Sequence, residues 1–284
     1  MMARDAVLEI EVVEKYPIMH YQQEKQRFLK CYCSHPQFVS RLRVNVEKGL
    51  GAIGSPPKDC LSTVSYESNV PYALRFMIDQ SFGGMSWVRV DAGKWSIRHQ
   101  SQKQTHCQIE FDVENYNHFI GLPCEGAYSK IPPLRILSFD IECSAEAGKF
   151  PTPQTDPVIQ IANIVKIQGE SDIFVRNVFT LQQCAPIVGS KVHSYRNETS
   201  MLRAWRDFVR EVDPDIITGY NIVNFDLPYI INRAEFLKEP NFPQLSRIRG
   251  GMSRIKSATF SSKAFGTRDS KDINIEGRIQ FDML

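Results

Sequence analysis

An apolar segment that ends in two closely spaced acids is the feature that most constrains the fold of this chain. Residues 134–142 predict a buried strand with Asp140 and Glu142 at its end. Side chains two residues apart leave a strand on the same face, so both carboxylates point to one side of the sheet. Such a pair is tolerated when it is solvated, protonated or bridged by a cation. Oxygen ligands of this kind suit Mg²⁺ or Mn²⁺, and the alternative is a solvated strand end.

A third acid lies at a predicted strand-to-helix junction further along the chain. Residues 215–218 predict a short strand, and a Gly-containing loop leads from it into a helix that begins near Asp226 with Pro228 in its first turn. Loops at strand ends are where open α/β sheets bind ligands. Asp226 is therefore a candidate ligand of the same cation as Asp140 and Glu142. The alternative role of Asp226 is a helix N-cap.

The two acidic segments resemble motifs of a known family. Residues 138–143 look like the first exonuclease motif of the family B DNA polymerases, and residues 216–226 look like the second. The flanking residues 133–137 and 156–161 are closest to a replicative catalytic subunit of eukaryotes. The resemblance covers nearly the whole chain, including residues 75–79, and identifies the chain as a member of that family.

The resemblance implies proofreading, in which two Mg²⁺ or Mn²⁺ ions hydrolyse a mispaired 3′-terminal nucleotide of DNA. Asp140, Glu142 and Asp226 would be the metal ligands and the catalytic residues. Asn221 and Phe225 match positions that in the family hold the single-stranded 3′ end. Phe225 would stack on a base or wedge beside it, a contact of about 1–3 kcal/mol.

One residue and one motif depart from the family pattern. Cys143 stands where some relatives carry a Thr that touches the DNA terminus, so it is the weakest candidate for a nucleic-acid contact. The third exonuclease motif of the family supplies a Tyr and, four residues later, the last acidic ligand, but no Tyr-x-x-x-Asp follows Asp226 here. The chain stops at Leu284 within an apolar run, so we expect a truncated piece of a longer polypeptide. By itself the chain should be inactive or very weak as a nuclease.

The predicted elements favour a mixed α/β fold in two parts. Residues 1–130 are strand-rich and resemble the N-terminal domain of a family B polymerase, and residues 131–284 resemble a truncated ribonuclease-H-like 3′-5′ exonuclease domain. The turn-rich residues 121–133 form the predicted boundary. A basic β-hairpin is predicted over residues 253–279. In the family a hairpin at this place helps to part the primer end from the template, and the alternative is an ordinary charged surface hairpin.

Hydrophobic periodicity gives the other elements. The predicted strands cover residues 6–13, 28–33, 72–78, 86–90, 108–113, 158–166 and 173–181, and the predicted helices cover residues 36–48, 198–212 and 226–237. The helix over residues 198–212 carries an apolar stripe that includes Trp205, which we expect to be buried in the core.

Composition narrows the class of protein. The chain has 284 residues, of which 42% are hydrophobic, and this is enough for ordinary globular cores. Its net charge is only +2, so any nucleic-acid binding must use local patches. The seven cysteines contain no C-x-x-C pair, which argues against a zinc site. No apolar segment is long enough to cross a membrane.

Three functions remain open. The first is the proofreading nuclease of a replicative DNA polymerase, and the second is a catalytically silent module that binds single-stranded DNA or acts as a scaffold. The third, a free-standing exonuclease, is disfavoured by the polymerase-type first 130 residues. The expected partners are a single-stranded 3′ end and primer-template DNA and, in the parent protein, the polymerase domain and accessory replication subunits. The resemblance places the parent in the nucleus, although no localisation signal is seen in this chain.

Overall fold

The computed structural model describes residues 6–18, 23–49, 64–262 and 266–284. The described part of the chain contains four α-helices: α1 (Pro36–Lys48), α2 (Tyr72–Asp79), α3 (Glu198–Val212) and α4 (Asp226–Phe236). Its strands are β1 (Val7–Lys15), β2 (Gln26–Cys33), β3 (Val88–Arg89), β4 (Trp95–Ile97), β5 (Phe111–Val113), β6 (Ile120–Gly121), β7 (Arg135–Cys143), β8 (Val158–Ile167), β9 (Ile173–Leu181), β10 (Lys191–Tyr195), β11 (Ile216–Gly219), β12 (Ile255–Ser262), β13 (Gly266–Ile273) and β14 (Ile279–Asp282). None of these helices is both long and apolar enough to cross a lipid bilayer.

The chain divides into two compact units. Met1–Arg89 and Phe119–Leu122 form the first, and Val90–His118 and Pro123–Leu284 form the second. Part of the predicted N-terminal domain thus packs with the second unit. The assignment of residues 1–130 to a family-type N-terminal domain stays a prediction.

In the first unit, β1 and β2 form an antiparallel pair and α1 has the predicted bounds. The predicted strand over residues 72–78 is wrong, because these residues form α2. Arg75 and Asp79, one helical turn apart, form an ion pair with Nη2 2.6 Å from Oδ1. An apolar run this short does not distinguish a helix from a strand by its periodicity.

The second unit is built on a six-stranded sheet in the order β10-β9-β8-β7-β11-β14. Strands β7, β8 and β9 run antiparallel to one another, whereas β11 is parallel to both β7 and β14. The helices α3 and α4 precede and follow β11 in the chain. The predicted mixed α/β class is confirmed.

The core of the second unit lies where α3 packs on the sheet. Leu137 and Phe139 of β7 are buried, and Trp205 of α3 packs against Phe139 with ring centroids 5.1 Å apart. The indole Nε1–H of Trp205 donates to Oδ1 of the buried Asn163, 2.9 Å away. The expected burial of Trp205 is confirmed.

The predicted hairpin exists but ends earlier than expected. Strands β12 and β13 pair in antiparallel register, with Ile255 opposite Ile273. The hairpin was predicted over residues 253–279, but its second strand ends at Ile273. Ile279, its predicted last residue, instead begins β14 beside β11 in the main sheet. Gly277, with φ +83°, turns the chain between β13 and β14. The buried guanidinium of Arg278, the next residue, forms an ion pair with the carboxylate of Asp213. The side chains of residues 258–270, which include the turn of the predicted basic hairpin, lie outside the described part of the structure.

Candidate functional site

The end of β7 presents its two acids on the face away from the buried core residues. Burial alternates along this strand, with Phe139 and Ile141 buried and with Asp140 and Glu142 exposed. Since residues two apart share a face, the acids point to the same side. The structure therefore gives this strand end the geometry expected from the sequence.

Asp226 reaches the same strand end from the first residue of α4. Its side chain is 1% exposed, and Oδ1 accepts the backbone N–H of Ile141 at 3.0 Å. Ile141 lies between Asp140 and Glu142, so acids from two distant segments meet at one place. The N-cap of α4 is Phe225, not Asp226. The alternative role of Asp226 as the cap is therefore wrong.

The electrostatics of Asp226 follow from this position. Burial raises the pKa of Asp226 to about 6, the hydrogen bond from Ile141 opposes this rise, and the nearby charge of Asp140 adds to it. A cation beside Asp226 would favour the charged form of its carboxylate.

The carboxylate oxygens at this strand end are of the type that binds a divalent cation, but they do not complete a metal site. Carboxylate oxygens are the ligands that Mg²⁺ and Mn²⁺ prefer. In the described ranges, however, no three Asp, Glu, His or Cys side chains converge closely enough to hold a metal ion. The charge of Asp140 acts on Asp226, and Glu142 lies on the same face of β7 as Asp140 without closing a cluster of three.

The loop between β11 and α4 needs specific residues to fold. A Cβ on Gly219 would lie 2.5 Å from the carbonyl oxygen of Phe139, so only glycine permits the approach of β11 to β7. Asn221 has φ +59°, a left-handed conformation that Asn tolerates better than most residues. The backbone N–H groups of Asn221 and Val223 donate to the carboxylate of Asp282.

An exposed aromatic residue that sequence reasoning missed lies against Phe225. The rings of Phe150 and Phe225 meet edge to face with centroids 5.3 Å apart, and Phe150 is 77% exposed. The ring of Phe225 also contacts that of Tyr229, with centroids 5.5 Å apart. Phe150 lies in the loop after β7, and its only sequence signal is an aromatic residue in a Gly- and Pro-containing segment.

Cys143 lies beside Tyr229 and keeps its proton near neutral pH. Burial raises the pKa of the Cys143 thiol to about 11, against a smaller opposing effect of the Tyr229 hydroxyl. That hydroxyl donates to the backbone carbonyl oxygen of Asp156 at 2.8 Å. The neutral thiol is half-buried among these groups, and its contact with DNA stays a prediction.

Asp282, at the end of β14, is the second residue that the sequence did not single out. Burial would raise its pKa, but hydrogen bonds from backbone N–H groups, including those of Val223 and Asn221, outweigh this effect and lower it. The charge of Asp282 also contributes to the raised pKa of Asp226. An acid at the end of an apolar alternating run, as in Asp140, is the signal that could have identified it.

The mixed sheet, the acidic strand end and the buried acid of α4 are the features expected of a DNA polymerase exonuclease domain. The model of the DNA polymerase family B exonuclease domain matches residues 63–284, and the chain belongs to this family. Within the family it is similar to the DNA polymerase delta catalytic subunit. The resemblance stated from the sequence motifs is confirmed.

Delta catalytic subunits from several organisms are similar to this chain over most of its length. The chain is 51% identical over 279 residues to the DNA polymerase delta catalytic subunit of Oryza sativa subsp. japonica, covering 98% of this chain and 25% of that protein. For the same subunit of Schizosaccharomyces pombe the identity is 48% over 261 residues, covering 92% of this chain and 24% of that protein. For that of Bos taurus the identity is 44% over 282 residues, covering 98% of this chain and 25% of that protein. The chain thus spans about a quarter of the length of these relatives.

A solved structure supports the fold. The family B DNA polymerase from the hyperthermophilic archaeon Pyrobaculum calidifontis matches with a TM-score of 0.62 and 28% sequence identity, over 98% of this chain and 28% of that chain. The expected exonuclease-type α/β fold is confirmed by this match.

Proposed function

We propose that this chain is part of the 3′-5′ proofreading exonuclease of a delta-type replicative DNA polymerase. The observation that carries the proposal is the hydrogen bond from Ile141 to the carboxylate of Asp226, which joins the acids of two motifs at one strand end. A strand face with two acids and a buried third acid suits the binding of divalent cations. Such cations would offset the negative charge that develops during hydrolysis of a phosphodiester.

Asp140, Glu142 and Asp226 would hold the Mg²⁺ or Mn²⁺ ions, two in the complete site. When bound, these cations supply an activated water and neutralise the leaving 3′-oxygen. The residues themselves provide the negative charge and its placement. Because burial raises the pKa of Asp226 to about 6, its carboxylate is fully ionised only above that pH.

The terminal nucleotide would lie against the loop that precedes α4. Phe225 is half-buried and meets the exposed Phe150 edge to face, so the pair offers apolar surface to an unstacked base. Stacking of this kind is worth about 1–3 kcal/mol per base. Asn221 offers a polar side chain at the bend of the same loop, and Cys143 a neutral thiol near Tyr229.

A catalytically silent, DNA-binding module is the second candidate for the chain as it stands. It is favoured because no cluster of three metal-binding side chains forms in the described residues, and because no Tyr-x-x-x-Asp follows Asp226 in the sequence. In this case the aromatic pair and the loop would bind single-stranded DNA, and cleavage would need the longer parent protein. The polymerase domain, the accessory replication subunits and the nuclear location belong to that parent in our proposal.

A 5′-labelled single-stranded oligonucleotide tests both candidates. Binding and 3′-end shortening would be measured with the purified chain in EDTA, Mg²⁺ and Mn²⁺. We expect divalent cations to strengthen binding and shortening to be slow or absent. Asp140→Ala and Asp226→Asn should remove the effect of the cations, whereas Asp172→Asn, at an exposed turn, should leave it unchanged.

The outcomes separate the two candidates. Shortening that Asp140→Ala abolishes supports the nuclease, and cation-dependent binding without shortening supports the silent module. If the wild-type chain binds the oligonucleotide equally in EDTA and Mn²⁺, and Asp140→Ala changes nothing, the proposed site is refuted.

A further inference from the structure

The loop between β11 and α4 carries several of the proposed functional residues but has little regular structure of its own. Asn221 bends it with a left-handed backbone conformation, and Phe225 ends it as the N-cap of α4, whose first residue is Asp226. Backbone N–H groups in such a loop lack the partners that a sheet or helix supplies, and each buried one needs an acceptor.

A single carboxylate supplies two of these acceptors. Oδ1 of Asp282 accepts the N–H of Asn221 at 2.7 Å, and Oδ2 accepts the N–H of Val223 at 3.0 Å. The residue between them, Ile222, is fully buried, and its carbonyl oxygen accepts the N–H of Leu227 in the first turn of α4 at 2.9 Å. A continuous set of contacts therefore runs from the end of β14 through the loop to the start of α4.

The strand that carries Asp282 is fixed independently of these bonds. β14 pairs in parallel with β11, and the N–H of Met283 donates to the carbonyl oxygen of Gly219 at 2.9 Å. Thr218 adds a side-chain bond from Oγ1 to the carbonyl oxygen of Phe281 at 2.6 Å. Asp282 is thus held on a paired strand, and a side chain placed on a regular element can set the conformation of a neighbouring loop.

We propose that Asp282 is a positioning residue for the DNA 3′ end: it folds the loop so that Asn221 and Phe225 face the terminal nucleotide. This inference rests on the proposed exonuclease function and deepens it. Asp282 is placed outside the metal-ligand set, because both its oxygens accept backbone N–H groups and Oδ1 also accepts that of Leu284 at 3.2 Å.

Asp282→Asn is the decisive variant, because it keeps the size of the side chain and turns one acceptor oxygen into a donor facing an N–H group. Thr218→Val is the matched control, since it removes a bond between the same two strands without touching the loop. Hydrogen exchange of the Asn221 and Val223 amides would be measured in EDTA. Binding of a single-stranded oligonucleotide in Mn²⁺ and the unfolding free energy would be measured in parallel.

We expect Asp282→Asn to speed exchange at one or both amides about tenfold or more and to weaken oligonucleotide binding by a similar factor, since a hydrogen bond to a charged acceptor is lost. Thr218→Val should change neither, even where it lowers the unfolding free energy. If Asp282→Asn does not fold, Asp282→Ser replaces it. Fast exchange of both amides in the wild-type chain would overturn the inference without any variant.

Two further results would also overturn it. One is unchanged exchange in the folded Asp282 variant, and the other is faster exchange with unchanged oligonucleotide binding. If Thr218→Val weakens binding as much as Asp282→Asn, the effect is general destabilisation and the positioning role is rejected. If the wild-type chain binds no oligonucleotide, the proposed function fails, and amide exchange alone then decides whether Asp282 holds the loop.

Discussion

A buried ion pair joins the two helices that flank β11. Glu198, at the start of α3, and Arg233 of α4 are each 8% exposed, with Nη2 2.7 Å from Oε2 and Nε 2.9 Å from Oε1. Arg233 Nη1 also donates to the carbonyl oxygen of Pro153, in the loop that carries Phe150, at 2.9 Å. Glu198 Oε1 accepts the N–H of Val158 at 2.8 Å.

Replacing Arg233 with Met should destabilise the chain strongly. The change leaves the Glu198 carboxylate buried with the N–H of Val158 as its remaining donor among these contacts. Breaking a buried pair from one side costs about 3–5 kcal/mol, so we expect a loss of about 4 kcal/mol. Adding Glu198→Gln removes the buried charge while keeping an acceptor for Val158. The double variant should therefore be more stable than Arg233→Met alone by about 1–2 kcal/mol.

Guanidinium chloride unfolding followed by tryptophan fluorescence measures these differences. Lys149→Met is the control, because it breaks an exposed pair with Glu146 whose atoms lie 2.6 Å apart, and such pairs contribute about 0–1 kcal/mol. The reasoning is refuted if Arg233→Met costs no more than this control. It is also refuted if the double variant is no more stable than Arg233→Met alone.

Three further changes test other parts of the fold and the site. Gly219→Ala should lower the melting temperature and cost about 1–3 kcal/mol, because its Cβ would lie 2.5 Å from the carbonyl oxygen of Phe139; an unchanged melting temperature would contradict this. Trp205→Phe should cost about 2–3 kcal/mol in denaturant unfolding, because it leaves a cavity and the unpaired Oδ1 of Asn163, and a loss well below about 1 kcal/mol would count against it. Asp226→Asn in EDTA should stabilise the chain by about 2–3 kcal/mol at about pH 7.5 and have no effect near pH 4. Burial raises the folded-state pKa of Asp226 to about 6, so wild-type stability falls as pH rises from about 4 to about 6, and Asn removes that loss. Equal effects at both pH values would show that the charge is not the cause.

The pattern of apolar and polar residues within a segment was sufficient to predict the longer helices and strands. The helix over residues 198–212 was predicted with its observed bounds, because its apolar stripe repeats at helical spacing. In the structure the side chain of Asn197 caps its first turn. The strand end at Asp140 and Glu142 was also predicted, since side-chain alternation is a property of any extended backbone. The helix α2 was missed, because eight residues carry too little periodicity.

The sequence by itself determined the fold class and the family and indicated Asp140, Glu142 and Asp226 as candidate site residues, because these depend on residue types and on spacings within one element. Only the tertiary structure decided that Asp226 is buried against Ile141, 85 positions away, and that Asp282 holds Asn221, 61 positions away. It also decided that the hairpin ends at Ile273 and that residues 279–282 join the main sheet beside β11. These contacts depend on which strands become neighbours. That choice is made by the packing of the whole domain and leaves no signal in a short window of residues.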